Sequence, residues 1–438
     1  MNKLVSVIVT VHNSARYLRR CLDSVTHQSL KDIEILCIDD SSTDASPDIL
    51  REYAKKDARI RIINDPDSSY GHKINRGIDL AEGRYLSIIE TDDLYQRDML
   101  KNLLEAAEST GVDYADGNYS RLLSVGDKRV RINTPKYPSD AYGRVLKNAE
   151  NIQYLGRPYV MGIWTGLYRG SFLRKNHIRL SETPGASYQD TSFAFLILAL
   201  AESAYHLNQS VYEYSIDNDG SSTYDHTKIM AIAKEYDCLY SELKSRNVSK
   251  DIWDKYYIMK YIGYYWNAQR LGLPAAEEFL DFYHDELVSD DAASHISRES
   301  MSDLLPQTYE LLDDRWAFEQ KLISSNKEEL KELKSDIQTF IDRTKGRHVI
   351  IFGHGIKGRK MYHFLQDNQL DVDAVAFCDN NSAGGIFDNL NVILPETAVR
   401  EYPDSLFIVP KGKYSDEMIE QLRSLNLSDD RILVEDFV

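Results

Sequence analysis

The sequence predicts an α/β fold in which a parallel sheet at the N-terminus is followed by a helical region and then by a small second α/β domain. Three observations carry that prediction. Residues 4–89 alternate short β-branched runs with apolar residues at helical spacing, the pattern of strand-helix-strand units. From Lys228 the apolar residues recur at spacings of three and four, without strand-like runs. From His348 the alternation of strand and helix restarts.

Taken in order, Leu4 to Val11 is a β-branched strand, and Ala15 to Gln28 places Tyr17, Leu18, Leu22 and Val25 at helical spacing. Ile33 to Ile38 is a buried strand ending at Asp39 and Asp40. Ser46 to Lys56 is a helix, Ile60 to Ile63 a short strand, and Tyr70 to Ala81 a loop entering a helix. Short connections between such units predict parallel neighbours. The next strand, Tyr85 to Ile89, runs straight into three carboxylates at Glu90, Asp92 and Asp93. Carboxylates at the C-terminal end of a parallel strand stand where open α/β sheets bind ligands. Hard divalent cations take oxygen ligands, and Mg²⁺ is held by one or two carboxylates while substrate phosphates complete its shell. The cluster therefore suits a diphosphate bound through Mn²⁺ or Mg²⁺. The competing reading makes Asp92 or Asp93 the N-cap of a helix from Met99 to Ala107. Convergence tips the balance: two acidic clusters on neighbouring strand ends repel unless a cation or hydrogen-bond donors lie between them.

Four segments in this order, Ser-Val-Ile-Val-Thr-Val-His-Asn (Ser6 to Asn13), Ile-Asp-Asp-Ser-Ser-Thr-Asp (Ile38 to Asp44), Gly-His-Lys-Ile-Asn-Arg-Gly (Gly71 to Gly77) and Glu-Thr-Asp-Asp (Glu90 to Asp93), resemble family 2 glycosyltransferases of the GT-A fold. The resemblance covers roughly the first half of the chain and implies a GT-A type nucleotide-sugar-binding sheet. It puts Thr10, His12 and Asp40 near the nucleotide base and ribose, and adds Asn13, Asp39, Lys73 and Asn75 to the donor site. It gives the metal and diphosphate to Glu90 and Asp92, with Asp93 beside them. Two departures stand out. Glu90 is one methylene longer than the more usual Asp, and Ile74 replaces an Arg that often precedes the Asn, leaving the positive charge to Lys73 or Arg76. Asp44 reads better as a turn former and helix cap before Ile49.

The family carries its catalytic base in a Glu-Asp or Gln-Asp pair, which the resemblance matches to Gln189-Asp190 within Gly185 to Phe193. Inverting transfer asks for a carboxylate on the acceptor side to take the hydroxyl proton. An unperturbed Asp has a pKa of about 3.9, so a useful base needs burial or a like charge beside it. Asp190 also suits the cap of a helix from Thr191 to Leu200, and the two roles are compatible. Trp164 and Tyr188 offer flat faces either to a sugar or to the core. Tyr212 to Tyr224 resembles the family's strand and closing loop, with Gly220, Ser221 and Ser222 supplying mobility and donors for phosphate oxygens. His226, just beyond, is either a third metal ligand or an exposed loop histidine.

The helical region reads as Tyr236 to Leu243, Trp253 to Leu271, Ala275 to Leu287 and Trp316 to Phe340, broken at Pro274 and Pro306. Its dense aromatics, Tyr256, Tyr257, Tyr261, Tyr264, Tyr265 and Trp266, read first as a helix-helix core and second as an acceptor platform or lipid-headgroup contact. Lys321 to Lys345 carries Lys and Glu around a thin apolar stripe, a connecting helix or short coiled coil suited to a homodimer. In the last stretch, His348 to Phe352 is a strand, Gly353-His-Gly-Ile-Lys-Gly358 opens the helix Arg359 to Gln366, and Ala374 to Cys378 is a strand ending at Asp379. This predicts a Rossmann-like accessory domain whose phosphate loop would be Gly353, Gly355 and Gly358 with Asp379 as acidic partner. The other reading of these glycines is a tight turn and helix-strand packing.

The 438 residues carry a formal charge of −17, which excludes a general nucleic-acid binder because phosphate neutralisation needs a basic face. Cys21, Cys37, Cys238 and Cys378 lack the spacing of a zinc site or a disulfide framework. No apolar stretch reaches membrane-spanning length, so the expectation is a cytoplasmic protein with peripheral contact at the inner face of the cell membrane. The expected domains are 1–227 (catalytic), 228–345 (helical extension and connecting helix) and 346–438 (Rossmann-like). The expected function is metal-dependent, inverting transfer of a sugar from a nucleotide-diphosphate donor, UDP-linked by resemblance, to a cell-surface polysaccharide or a glycolipid, that is, a glycan or lipid-linked glycan acceptor. A nucleotidyltransferase is disfavoured because no Gly-rich, Arg-containing loop follows the first strand. Glu90 and Ile74 leave a non-catalytic sugar-nucleotide-binding or interaction protein as the alternative.

Overall fold

Strand β1 (Val5–Val11) and strand β2 (Ile33–Asp39) are buried along their whole length, as strands of a parallel sheet covered on both faces must be. The computed structural model describes residues 3–66, 69–155, 162–218, 220–296, 298–302, 308–322 and 326–437. Helices α1 (Ala15–Thr26) and α2 (Ser46–Lys56), strand β3 (Ile60–Asn64), helix α3 (Tyr70–Leu80) and strand β4 (Tyr85–Glu90) complete the N-terminal alternation. Helix α3 begins at Tyr70 itself, because Ser69 caps it by accepting from the His72 N–H. The sheet runs β3-β2-β1-β4, all parallel, and continues through Gly166–Arg169, Tyr114–Val125, Ser203–Ser215 and Leu94–Tyr95. In register, Thr10 pairs with Ile38 and Glu90, and Val11 with Asp39. The polar ends of β1, β2 and β4 therefore share one edge. Leu94–Tyr95 intervenes before the helix Met99–Thr110, whose N-cap is Asp98, so neither Asp92 nor Asp93 caps it.

Helix Asp190–Leu200 is buried at every position from Thr191 to Ala199. Its apolar run makes it a core helix, and only its N-terminus is free to serve a site. The three long helices that follow, Ala231–Arg246, Lys250–Leu271 and Glu277–Ala292, bury Tyr236, Tyr256, Tyr257, Tyr261, Tyr264 and Tyr283 against one another. Tyr261 stacks on Tyr283 at 5.7 Å, so most of the aromatic cluster is helix-helix core. Arg315–Gln320 and Asn326–Thr344 are separate helices. Residues 323–325 between them, and Pro306, lie outside the described residues.

Two compact units result, residues 1–120 with 134–329, and residues 121–133 with 330–438. The helices from Ala231 to Gln320 thus cluster with the N-terminal sheet rather than apart from it. In the second unit the strands run Ile386–Phe387, Leu390–Ile393, Val372–Cys378, Arg347–Phe352, Leu406–Pro410 and Ile432–Glu435, parallel except for the first pair. Residues 121–133 join this unit partly through Asn368, whose amide donates to the Arg131 carbonyl at 2.9 Å and accepts from the Arg131 N–H at 2.6 Å. Among the described residues no helix is long and apolar enough to cross a membrane.

Candidate active site

β4 ends with Glu90, and the turn after it carries Asp92 and Asp93. Each of these three carboxylates offers an oxygen within 4.8 Å of the others. Asp93 is fully buried; it accepts from the Tyr212 hydroxyl at 2.8 Å and from the Ser215 N–H at 2.7 Å, which ties the turn to the end of strand Ser203–Ser215. Asp92 faces the loop after that strand, accepting from the Asn218 amide at 2.8 Å, while its carbonyl takes Arg20 at 2.5 Å and the Ser215 hydroxyl at 2.6 Å. Glu90 accepts from the Tyr70 hydroxyl at 3.0 Å. Burial, then Asp92 and Asp190, raises the Glu90 carboxyl to about 8, and burial with Asp92 and Glu90 raises Asp93 as well. Crowded hard oxygens that hold protons this tightly are a donor set that fits a divalent cation.

Asp190 opens its helix beside this cluster. Its carboxyl is raised to about 6, first by burial and then by the charge of Glu235, which itself accepts from the Ser181 and Thr183 hydroxyls. Gln189 is buried and holds the preceding loop closed, donating to the carbonyls of Thr183 and Gly185. Tyr188 adopts φ 66° directly before this pair, a conformation costly for a bulky side chain.

On the β1-β2 side the structure gathers Thr10, His12, Asp40 and Lys73. Asp40 is buried between the Lys73 ammonium and the His12 Nδ1, each at 3.4 Å. Arg76 instead faces Asp65 at 3.5 Å. Three other residues of the expected donor site make hydrogen bonds within the chain. Asn13, at φ 47°, accepts from the Thr43 and Asp44 N–H groups; Asp39 accepts from the Ser42 hydroxyl at 2.6 Å. Asn75 clamps Leu180 by both its N–H and its carbonyl and donates to Glu182 at 2.8 Å, so its amide ties α3 to residues 180–182. Asp44 accepts from the first N–H groups of α1 and α2, at Ala15 and Ser46, the capping role read for it in the sequence.

Among the described residues His226 lies outside the carboxylate cluster, and its buried Nε2 has no hydrogen-bond partner there. Ser221 accepts from the Thr223 N–H at 3.3 Å, and the side chain of Ser222 lies outside the described residues. Trp164 is a core residue: it stacks on Tyr212 at 4.5 Å and on Tyr214 at 5.0 Å. In the second unit, a β-carbon on Gly358 would lie 1.8 Å from the Gly353 carbonyl oxygen, and Gly353 takes φ 97°. Asp379 accepts from the N–H groups of His354, Asn381 and Ser382. Gly353, Gly358 and Asp379 therefore build a tight turn and close packing, while Gly355 caps the following helix in open space.

Sequence reasoning missed Tyr70, Arg20, Asn218, Ser215 and Glu235. Asn218 and Ser215 sit inside a stretch already singled out, and Tyr70 precedes the Gly71 segment by one position. Arg20 and Glu235 carry no local signal, since long-range packing alone brings them in.

The family model for glycosyl transferase family 2 matches residues 6–165. An uncharacterized glycosyltransferase of Bacillus subtilis, EpsJ, is 30% identical over 227 residues, 51% of this chain and 64% of that protein. The chain thus spans less than two thirds of that relative. A teichuronic acid biosynthesis glycosyltransferase named for the same organism, TuaG, is 27% identical over 57% of this chain and 92% of its own length. Among solved structures, S. aureus TarS 1-349 in complex with UDP-GlcNAc superposes with a TM-score of 0.51 at 17% identity, covering 73% of this chain and 90% of that one. The strand ends that gather the acidic cluster lie within the residues that match glycosyl transferase family 2, and the sheet has the GT-A type fold of the TarS structures.

Proposed function

We propose that the protein is an inverting glycosyltransferase that moves a sugar from a UDP-linked donor to a hydroxyl of a cell-surface polysaccharide or a glycolipid. One observation carries the reading: Asp190 and the Glu90-Asp92-Asp93 cluster come from separate elements yet are brought to one site, where Tyr70 donates to Glu90 and, through its N–H, to the Gly185 carbonyl that Gln189 also holds. Glu90 and Asp92 would hold a divalent cation with the donor diphosphate, and Asp93 fixes their turn. A bound cation would supply charge stabilisation for the departing diphosphate. Asp40, Lys73, Thr10 and His12 would bind the nucleoside. Asp190 accepts the acceptor's hydroxyl proton as that oxygen bonds to the anomeric carbon, and the bond to the diphosphate oxygen breaks with its electron pair on the leaving group. The names of TuaG and of the TarS complex with UDP-GlcNAc support a surface-glycan acceptor and a UDP-sugar donor.

The test is release of nucleoside diphosphate from UDP-, GDP- and dTDP-sugars with Mn²⁺ and with EDTA. The expected result is release from a UDP-sugar that EDTA and Asp92→Ala abolish. Silence toward every donor, together with no donor binding by thermal shift, sinks the transferase reading.

A further inference from the structure

We propose that Tyr70 is a positioning residue that sets the Glu90 carboxylate for a divalent cation and couples it to the loop leading into Asp190. The proposal rests on the transferase reading above. Tyr70 is the first residue of α3 and works in two directions. Its hydroxyl donates to Glu90 Oε1 at 3.0 Å, and its N–H donates to the Gly185 carbonyl at 2.9 Å. The same carbonyl accepts from Gln189 Nε2 at 3.1 Å, one residue before Asp190. Helix α3 cannot drift from this loop. Asn75 grips Leu180 from both sides, and Gly71 lies so close that a β-carbon there would stand 1.8 Å from the Ser181 carbonyl oxygen.

The extra methylene of Glu90 gives its carboxylate one more torsion to order than an aspartate has, and that freedom opposes a fixed ligand geometry. A hydroxyl bond to one oxygen removes it. An ionised carboxylate offers about four acceptor sites, so Tyr70 leaves the others for the cation. Hydrogen bonds of this kind orient metal ligands, and their loss typically weakens metal binding about 10- to 100-fold. Tyr70 thereby accounts for a glutamate working where the family more often has aspartate: the longer acid and the hydroxyl form one unit.

The experiment is Mn²⁺ titration in the presence of UDP, counting free Mn²⁺ by its electron paramagnetic resonance, on wild type, Tyr70→Phe, Glu90→Asp and the double variant. The expected result is about a 10-fold or greater weakening in Tyr70→Phe, with the metal-free melting temperature unchanged. In the Glu90→Asp background, where the shorter acid no longer reaches the hydroxyl, removing that hydroxyl should change Mn²⁺ affinity less than about twofold. Equal affinity of Tyr70→Phe and wild type overturns the proposal. So does the same weakening in both backgrounds, which would place the effect in the fold and not in Glu90. No Mn²⁺ binding by the wild type overturns the transferase reading itself.

Discussion

A carboxylate that takes a proton from a sugar hydroxyl works best with a pKa near the operating pH. Burial raises Asp190 to about 6, and the neighbouring Glu235 adds to the rise. On the proposed mechanism the ionised form is the active one, so kcat/KM should climb with pH through about 6 and level off above it. A profile measured with saturating Mn²⁺ checks this, and a flat profile from pH 5 to about 8 would remove Asp190 from the role. Asp190→Asn keeps the shape and loses the base. The expected loss is about 10²- to 10⁴-fold in kcat, with the donor KM little changed. Asp93 shows how a residue's surroundings divide its labour: both its oxygens serve Tyr212 and Ser215, so it braces the turn that presents Asp92.

Helix α3 is the element on which the two sides of the site meet. Lys73 reaches Asp40, Tyr70 reaches Glu90, and Asn75 holds Leu180 and Glu182. Asn75→Ala would leave the Leu180 N–H and carbonyl without this partner, a loss of about 1–3 kcal/mol. Chemical denaturation checks that value. A raised donor KM at unchanged stability would instead return Asn75 to the donor site. Gly71→Ala drives a methyl into the Ser181 carbonyl and forces α3 away from its loop, with an expected cost of about 1–3 kcal/mol or more. Unchanged stability and activity in that variant would contradict the close approach.

For the whole chain, raised carboxyls make stability depend on pH. Glu90 at about 8 and Asp190 at about 6 bind protons more tightly when folded than unfolded. Their contribution is full below the ordinary carboxylate range and is lost as pH rises through the folded values. The formal charge of −17 adds self-repulsion in the same direction. Metal-free protein should therefore melt at progressively lower temperature from pH 5 to about 8. Mn²⁺ with UDP should restore stability by about 2.7 kcal/mol at a hundredfold excess over Kd. A melting temperature that rises over that pH range in metal-free buffer contradicts the assignment of these two groups.

The order of strands and helices through Glu90 was legible in the sequence because buried parallel strands need unbroken apolar runs, as in Val5–Val11 and Ile33–Asp39. The acidic end of β4 was legible for the same reason, since a run of that kind ending in Glu90, Asp92 and Asp93 leaves them at a sheet edge. What each polar side chain does there was not. Asn13, Asp39 and Asn75 share the polarity of donor ligands, and only their neighbours in space show them tying loops together. The contacts of Gly353, Gly358 and Asp379 make a tight turn with close packing, a geometry common to both readings that their spacing offers. Pattern along a chain records which groups must be buried, because burial repeats with the period of the backbone. Hydrogen bonds between residues far apart in sequence, such as Tyr70 to Glu90 or Glu235 to Ser181, follow from packing of whole elements and leave no period to read.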